Sequence, residues 1–144
     1  MGASRWSYFT PFQRSEQDAL DDLRETVFAE DSEYYRQAEI ETPAALMASA
    51  WLQEEAAHSV LDVGRVVRCE EHMEEPGDVR VVEAAEVVQL FGTERPGRDA
   101  VEQALKRAGD GWFPPFDRGS GCCTIVYDTE GRPAEWCFWG FTGD

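Results

Sequence analysis

Residues 133–141 read "PAEWCFWGF", and no other stretch constrains the fold more. In an extended strand, successive side chains point to opposite faces. Trp136, Phe138 and Gly140 then share one face, while Cys137, Trp139 and Phe141 share the other. A half-exposed antiparallel strand would show polar residues on one side. This one shows none from Trp136 onward, so both faces must be covered. Helices on one side, and loops or a partner on the other, are the expected cover.

The preceding apolar run, "CCTIVYD" at 122–128, is joined to it by "DTEGRP". Gly131 suits the left-handed position of a short hairpin loop, so a C-terminal β-hairpin is expected. "RWSYFTPF" at 5–12 alternates as a first strand, with Trp6, Tyr8 and Thr10 on one side. Ser15 reads as an N-cap with Asp18 three residues on, and Leu20, Leu23, Val27 and Phe28 follow at helical spacing. That helix should reach about Glu30. "DSEYYRQAEIET" at 31–42 reads as a connector. Thr42-Pro43 starts a second helix, expected to run to Glu55. "HSVLDVGRVV" at 58–67 reads as a strand broken or bulged at Gly64, and "VRVV" at 79–82 as a short strand. Two more helices carry Ala84, Val87, Val88 and Phe91, and then Val101, Ala104, Leu105 and Ala108. Runs of helices and strands that do not strictly alternate predict an α+β fold. The expected architecture is a mainly antiparallel sheet of four to five strands with about four helices. No repeat or linker divides the chain, so residues 1–144 are expected to form a single domain.

The formal net charge is −16. A field of that sign repels phosphate backbones and anionic lipid heads, which argues against nucleic acid and membrane partners; it would attract a basic protein or a cationic ligand, and the plainer alternative is that the charge serves solubility alone. No apolar run is long enough to span a bilayer, and the opening "MGASRWSYFTPF" is too polar for a secretory signal. Cys122 and Cys123 are adjacent and would point to opposite faces of a strand, which speaks against a disulfide framework. Reduced thiols and a cytoplasmic location are therefore expected.

Candidate chemistry is sparse. His58 and Asp62 would lie about 13 Å apart on a strand but could meet at i,i+4 on a helix, where the carboxylate could orient an imidazole as a general base. The structural alternative is a histidine at the N-terminus of a strand bonded to a backbone carbonyl, with Asp62 at a turn. A cysteine of the hairpin would need a cationic or histidine-paired setting to act as a nucleophile, and small core residues is the plainer reading. Cys69 and His72 in "CEEHMEE" form a C-x-x-H pair, half of a zinc site at most. Glu135 immediately precedes the aromatic strand and is a candidate acid, or an ordinary strand carboxylate. "WFPPF" places Trp112, Phe113 and Phe116 on a stiff segment suited to docking or to closing a pocket over Trp136 and Trp139. Its alternative is a segment that simply covers the sheet. No cofactor is implied.

"SYFTPF", "VFAEDSEYY", "HSVLDVGRV", "LFGTERP" and "FWGFTGD" together resemble a family of small acidic actinobacterial proteins, over about residues 6–144. That family has Gly-Thr before the His-Ser pair, where this chain has Ala56 and Ala57. The departure removes a hydroxyl from the surroundings of His58. No activity is attached to the family, so the resemblance implies neither a mechanism nor a catalytic role.

Three functional readings follow. The first is a non-catalytic interaction protein, accessory or immunity-like, with a basic partner anchored on the "WFPPF" aromatics. The second is a small enzyme or binder for an apolar small molecule, with a pocket between residues 112–116 and the last strand. The third is a homodimer in which a twin covers that strand.

Overall fold

The computed structural model describes residues 5–68, 77–108 and 119–141. Its centre is a five-stranded sheet in the order β1-β5-β4-β3-β2. β1 spans Arg5–Pro11, β2 Arg65–Val67, β3 Asp78–Val81, β4 Gly121–Tyr127 and β5 Pro133–Phe141. β5 lies between β1 and β4 and is antiparallel to both, whereas β2, β3 and β4 run parallel. The sheet is thus mixed, which corrects the expectation of a mainly antiparallel one. The cause is the crossover from β3 to β4. It carries two helices, α5 (Ala84–Phe91) and α6 (Arg98–Ala108), back across the sheet and returns the chain in the same direction. The hairpin forms as expected, with Gly131 left-handed at φ 78°.

Six α-helices lie among the described residues, two more than expected. α1 (Glu16–Glu30) begins where Ser15 Oγ accepts from the Asp18 N–H. α2 (Ser32–Arg36) occupies the stretch expected to be a connector. Its Tyr35 is buried, stacked on Phe28 with centroids 5.1 Å apart, so packing rather than helix propensity holds this single turn. The expected helix from Pro43 to Glu55 is divided into α3 (Pro43–Met47) and α4 (Ala50–Glu55). Ser49 divides it. Its hydroxyl donates to the Leu46 carbonyl, ending one helix, and accepts from the Leu52 N–H, starting the next. The expected strand at 58–67 keeps only β2. Val60–Asp62 forms a single 3₁₀ turn.

Both faces of β5 are covered by helices. Trp136 and Phe138 join Trp6, Cys123 and Val79 beneath α1, α2, α3 and the 3₁₀ turn. Cys137 and Trp139 join Cys122 and Val126 beneath α5 and α6. Each large side chain so buried stabilises the fold by roughly 1.5–3 kcal/mol. β5 therefore needs no twin and no loop to cover it.

The two ends of the sheet are treated differently. At β2, the Gln17 side chain acts as a substitute strand: its Oε1 accepts from the Val66 N–H at 2.9 Å and its Nε2 donates to the Gly64 carbonyl at 2.9 Å. At β1, no described residue pairs with the outer edge.

Candidate functional site

The turn that connects α4 to β2 brings His58 and Asp62 together, but through main chain. Asp62 Oδ1 accepts from the Ala57 N–H at 2.6 Å and Oδ2 from the His58 N–H at 3.0 Å. Ser59 Oγ accepts from the Leu61 N–H and starts the 3₁₀ turn. These bonds hold a backbone that L-residues disfavour: Ala56 stands at φ 56°, ψ 152° and His58 at φ 57°. Such positions cost on the order of 1–3 kcal/mol each. Burial pushes the Asp62 carboxyl above its ordinary range, and the backbone N–H groups of Ala57, His58 and Ser59 partly offset this. The His58 side chain is exposed. The carboxylate thus organises a turn, as the structural alternative has it, but its partner is the histidine's own amide, and His58 stands outside any strand.

Two phenols stand over this turn. The Tyr8 hydroxyl reaches the Ser59 side chain and the Val60 backbone, and burial raises its pKa. Tyr35 is pushed up to about 12, first by burial and then by the charges of Asp31 and Asp62. Both stay protonated at neutral pH.

Tyr35 is also the centre of an aromatic cluster. Tyr34 meets it edge-on at 5.4 Å, Trp51 meets it edge-on at 5.7 Å, and Tyr34 and Trp51 touch edge-on at 6.0 Å. Tyr34 is nevertheless 58% exposed. It follows Glu30, Asp31 and Glu33, all exposed. The result is a rigidly backed aromatic ring beside carboxylates, a surface suited to a lysine or arginine side chain. Sequence reading misses it because "DSEYYR" is treated as part of a connector. The available signal is the tyrosine pair within that acidic run. On the other side of α2, an open cleft of about 410 Å³ is lined by Phe28, Ser32, Arg36, Ile40 and Glu41.

The remaining candidates fall elsewhere. Glu135 is half-buried and pairs with Arg98, which also holds Glu102. Trp136 is buried; it donates from Nε1 to the Gln13 carbonyl at 2.8 Å and stacks on Phe12. Trp139 is buried edge-on against Phe91. Both tryptophans fill the two cores. Burial raises the thiol pKa of Cys123 and Cys137, so neither has the thiolate character a nucleophile needs, and Cys122 is equally enclosed. Arg65, Arg68 and Arg80 each pair with a carboxylate, Asp78, Glu16 and Glu86 respectively. Trp112, Phe113 and Phe116 lie outside the described residues, as do Cys69 and His72. Among the described residues there is no group of three or more acidic, histidine or cysteine side chains placed to hold a metal. None of their helices is long and apolar enough to cross a membrane.

No protein-family model matches the chain, and searches of curated proteins and of solved structures find no match either.

Proposed function

We propose that this chain is a non-catalytic protein-interaction module whose partner is a basic protein. The observation that carries the reading is Tyr34. A tyrosine that is more than half exposed yet backed by Tyr35 and Trp51 loses little conformational freedom on binding. Tyrosines of this kind are common anchors of interfaces. The flanking Glu30, Asp31 and Glu33 select for positive charge at short range. The net charge of −16 steers a basic partner from longer range. The resemblance to small acidic actinobacterial proteins is compatible with this reading and adds no activity to it.

The test is affinity capture from lysate with the wild-type chain and with Tyr34→Ala in parallel. A basic protein held by the wild type and lost with the variant supports the reading. If every captured protein is held equally by both, the Tyr34 surface is not the anchor. A small molecule retained through purification would instead favour the binder reading, with the cleft behind α2 as its first location.

A further inference from the structure

The outer edge of β1, unpaired among the described residues, is a second, separate surface, and its hydrogen-bonding groups can be assigned. Phe12 N–H donates to the Ala134 carbonyl, which extends the β1–β5 register by one residue. Antiparallel pairs alternate between bonded and non-bonded. Thr10, Tyr8 and Trp6 are therefore bonded to β5. Phe141, opposite Arg5, confirms the phase, because its N–H and carbonyl bond to Ser120 and Gly119 on the β4 side. The main-chain groups of Arg5, Ser7 and Phe9, with the Pro11 carbonyl, consequently point outward. Pro11 sits at a non-bonded position, where its missing N–H costs the ladder nothing.

The same residues line a groove. Between β1 and α6 lies an open cleft of about 310 Å³ bounded by Arg5, Ser7, Phe9, Glu102, Leu105 and Lys106. Its floor is the Phe9 ring, with the Arg98 guanidinium 4.3 Å from the ring centroid. Arg5 spans strand and helix by donating to the Leu105 carbonyl at 2.6 Å. Glu102 is engaged by Arg98. Among the described residues, neither Arg5 nor Lys106 has a carboxylate partner, in a chain with 29 acidic and 13 basic residues.

Exposed edges usually carry a device that blocks further pairing. β2 has one in Gln17. β1 is seven residues long and pairs with β5 without a bulge; its charged residue, Arg5, and its proline, Pro11, stand at its two ends and leave the outward groups of Ser7 and Phe9 unblocked among the described residues. We propose that β1 and the α6 groove form a strand-addition site for an extended segment of a partner protein. Main-chain bonds to Ser7 and Phe9 would hold the segment. Its side chains facing α6 would place an apolar group on Phe9 and Leu105, and a carboxylate between Arg5 and Lys106. A single carboxylate on an otherwise basic segment satisfies both these local cations and the acidic field of the molecule. The proposal does not rest on Tyr34, which lies on α2 beneath the opposite face of the sheet.

A displayed library of short random linear peptides, selected on the full chain, tests it. Enriched peptides should carry Asp or Glu two residues from an apolar side chain, and should slow hydrogen exchange at the Ser7 and Phe9 amides. Ser7→Pro removes an outward N–H and leaves the β1–β5 bonds intact; it should weaken these peptides about tenfold. Lys106→Glu, on the exposed surface of α6, should weaken them several-fold and serves if the proline variant does not fold. Absence of enrichment overturns the proposal. So does binding that both variants leave unchanged. A wild-type dimer that Ser7→Pro splits into monomers also overturns it, because the occupant is then a second copy of this chain.

Discussion

Trp6 shows how much depends on single atoms. Its ring lies across Gly140 of β5 and Gly121 of β4: a Cβ at Gly140 would stand 2.5 Å from Trp6 Cζ2, and one at Gly121 would stand 3.2 Å from Cη2. At both positions the added atom also meets main-chain oxygen, Ser120 at 2.6 Å and Trp139 at 2.5 Å. Gly140→Ala should therefore destabilise the fold by about 1–3 kcal/mol, read as a lowered urea midpoint with unchanged slope. The cysteines give a second prediction at this scale. Cys122, Cys123 and Cys137 are fully buried, and desolvation disfavours the thiolates of Cys123 and Cys137. In the native protein, maleimide labelling mapped by peptide mass should leave all three unmodified, and all three should react in urea. Native labelling of any of them would show that the sheet opens readily.

Among the elements, α5 is tied to the sheet by a buried charge. Arg80 of β3 is almost wholly enclosed and donates to both Glu86 oxygens, at 2.6 and 3.1 Å. Glu86 also closes the N-terminus of α5 by accepting from the Glu83 N–H. The hydrogen bond from Arg80 holds the Glu86 carboxyl below its ordinary range. Its contribution is thus full above the ordinary carboxylate pKa and is lost as pH falls through the lowered folded value. Glu86→Gln should cost about 1.5–3 kcal/mol at neutral pH, because it removes the charged acceptor of two hydrogen bonds from a buried guanidinium. The variant should also lose less stability on acidification than the wild type. Asp62 works in the opposite direction, since its carboxyl is raised and acid favours its folded form. The difference between wild type and variant, measured by urea midpoints at a series of pH values, isolates Glu86. The ends of several elements are legible in sequence for local reasons. Ser15 and Thr42 cap their helices with their own side chains, and Gly92 and Gly131 take positive φ where helix and hairpin turn. The break at Ser49 is not, because a serine within an apolar helical stripe reads as tolerated until its two hydrogen bonds are seen.

For the whole molecule, the uneven charge and the position of β5 set behaviour. A net charge of −16 on a chain of 144 residues makes the compact state repel itself. Raising salt from about 10 mM to about 150 mM shortens the Debye length from about 30 Å to about 8 Å. The thermal midpoint should rise over that range; a fall would mean that ion pairs such as Arg80–Glu86 outweigh the repulsion. Hydrogen exchange should find the slowest amides in β5, which has a strand on each side and helices on both faces. The outward Ser7 and Phe9 amides of β1 should exchange fast.

What the sequence determines by itself is local: the periodicity of β1 and β5, the helix caps, the hairpin and the demand that both faces of "WCFWGF" be covered. These depend on residues within one or two turns of each other. Tertiary structure alone decides the rest. The parallel pairing of β3 with β4 follows from the helical crossover through α5 and α6 between them, not from any residue of the strands. The same holds for the choice of cover for β5, which turns out to be helices on both sides. Asp62 and His58 are close as their spacing allows, yet the left-handed backbone at His58 presents an amide to the carboxylate. Tyr34 is exposed and yet backed by an aromatic ring because Trp51, from a separate helix, stands behind it. Contacts between residues distant in sequence are won by packing the whole chain at once, and no short pattern records them.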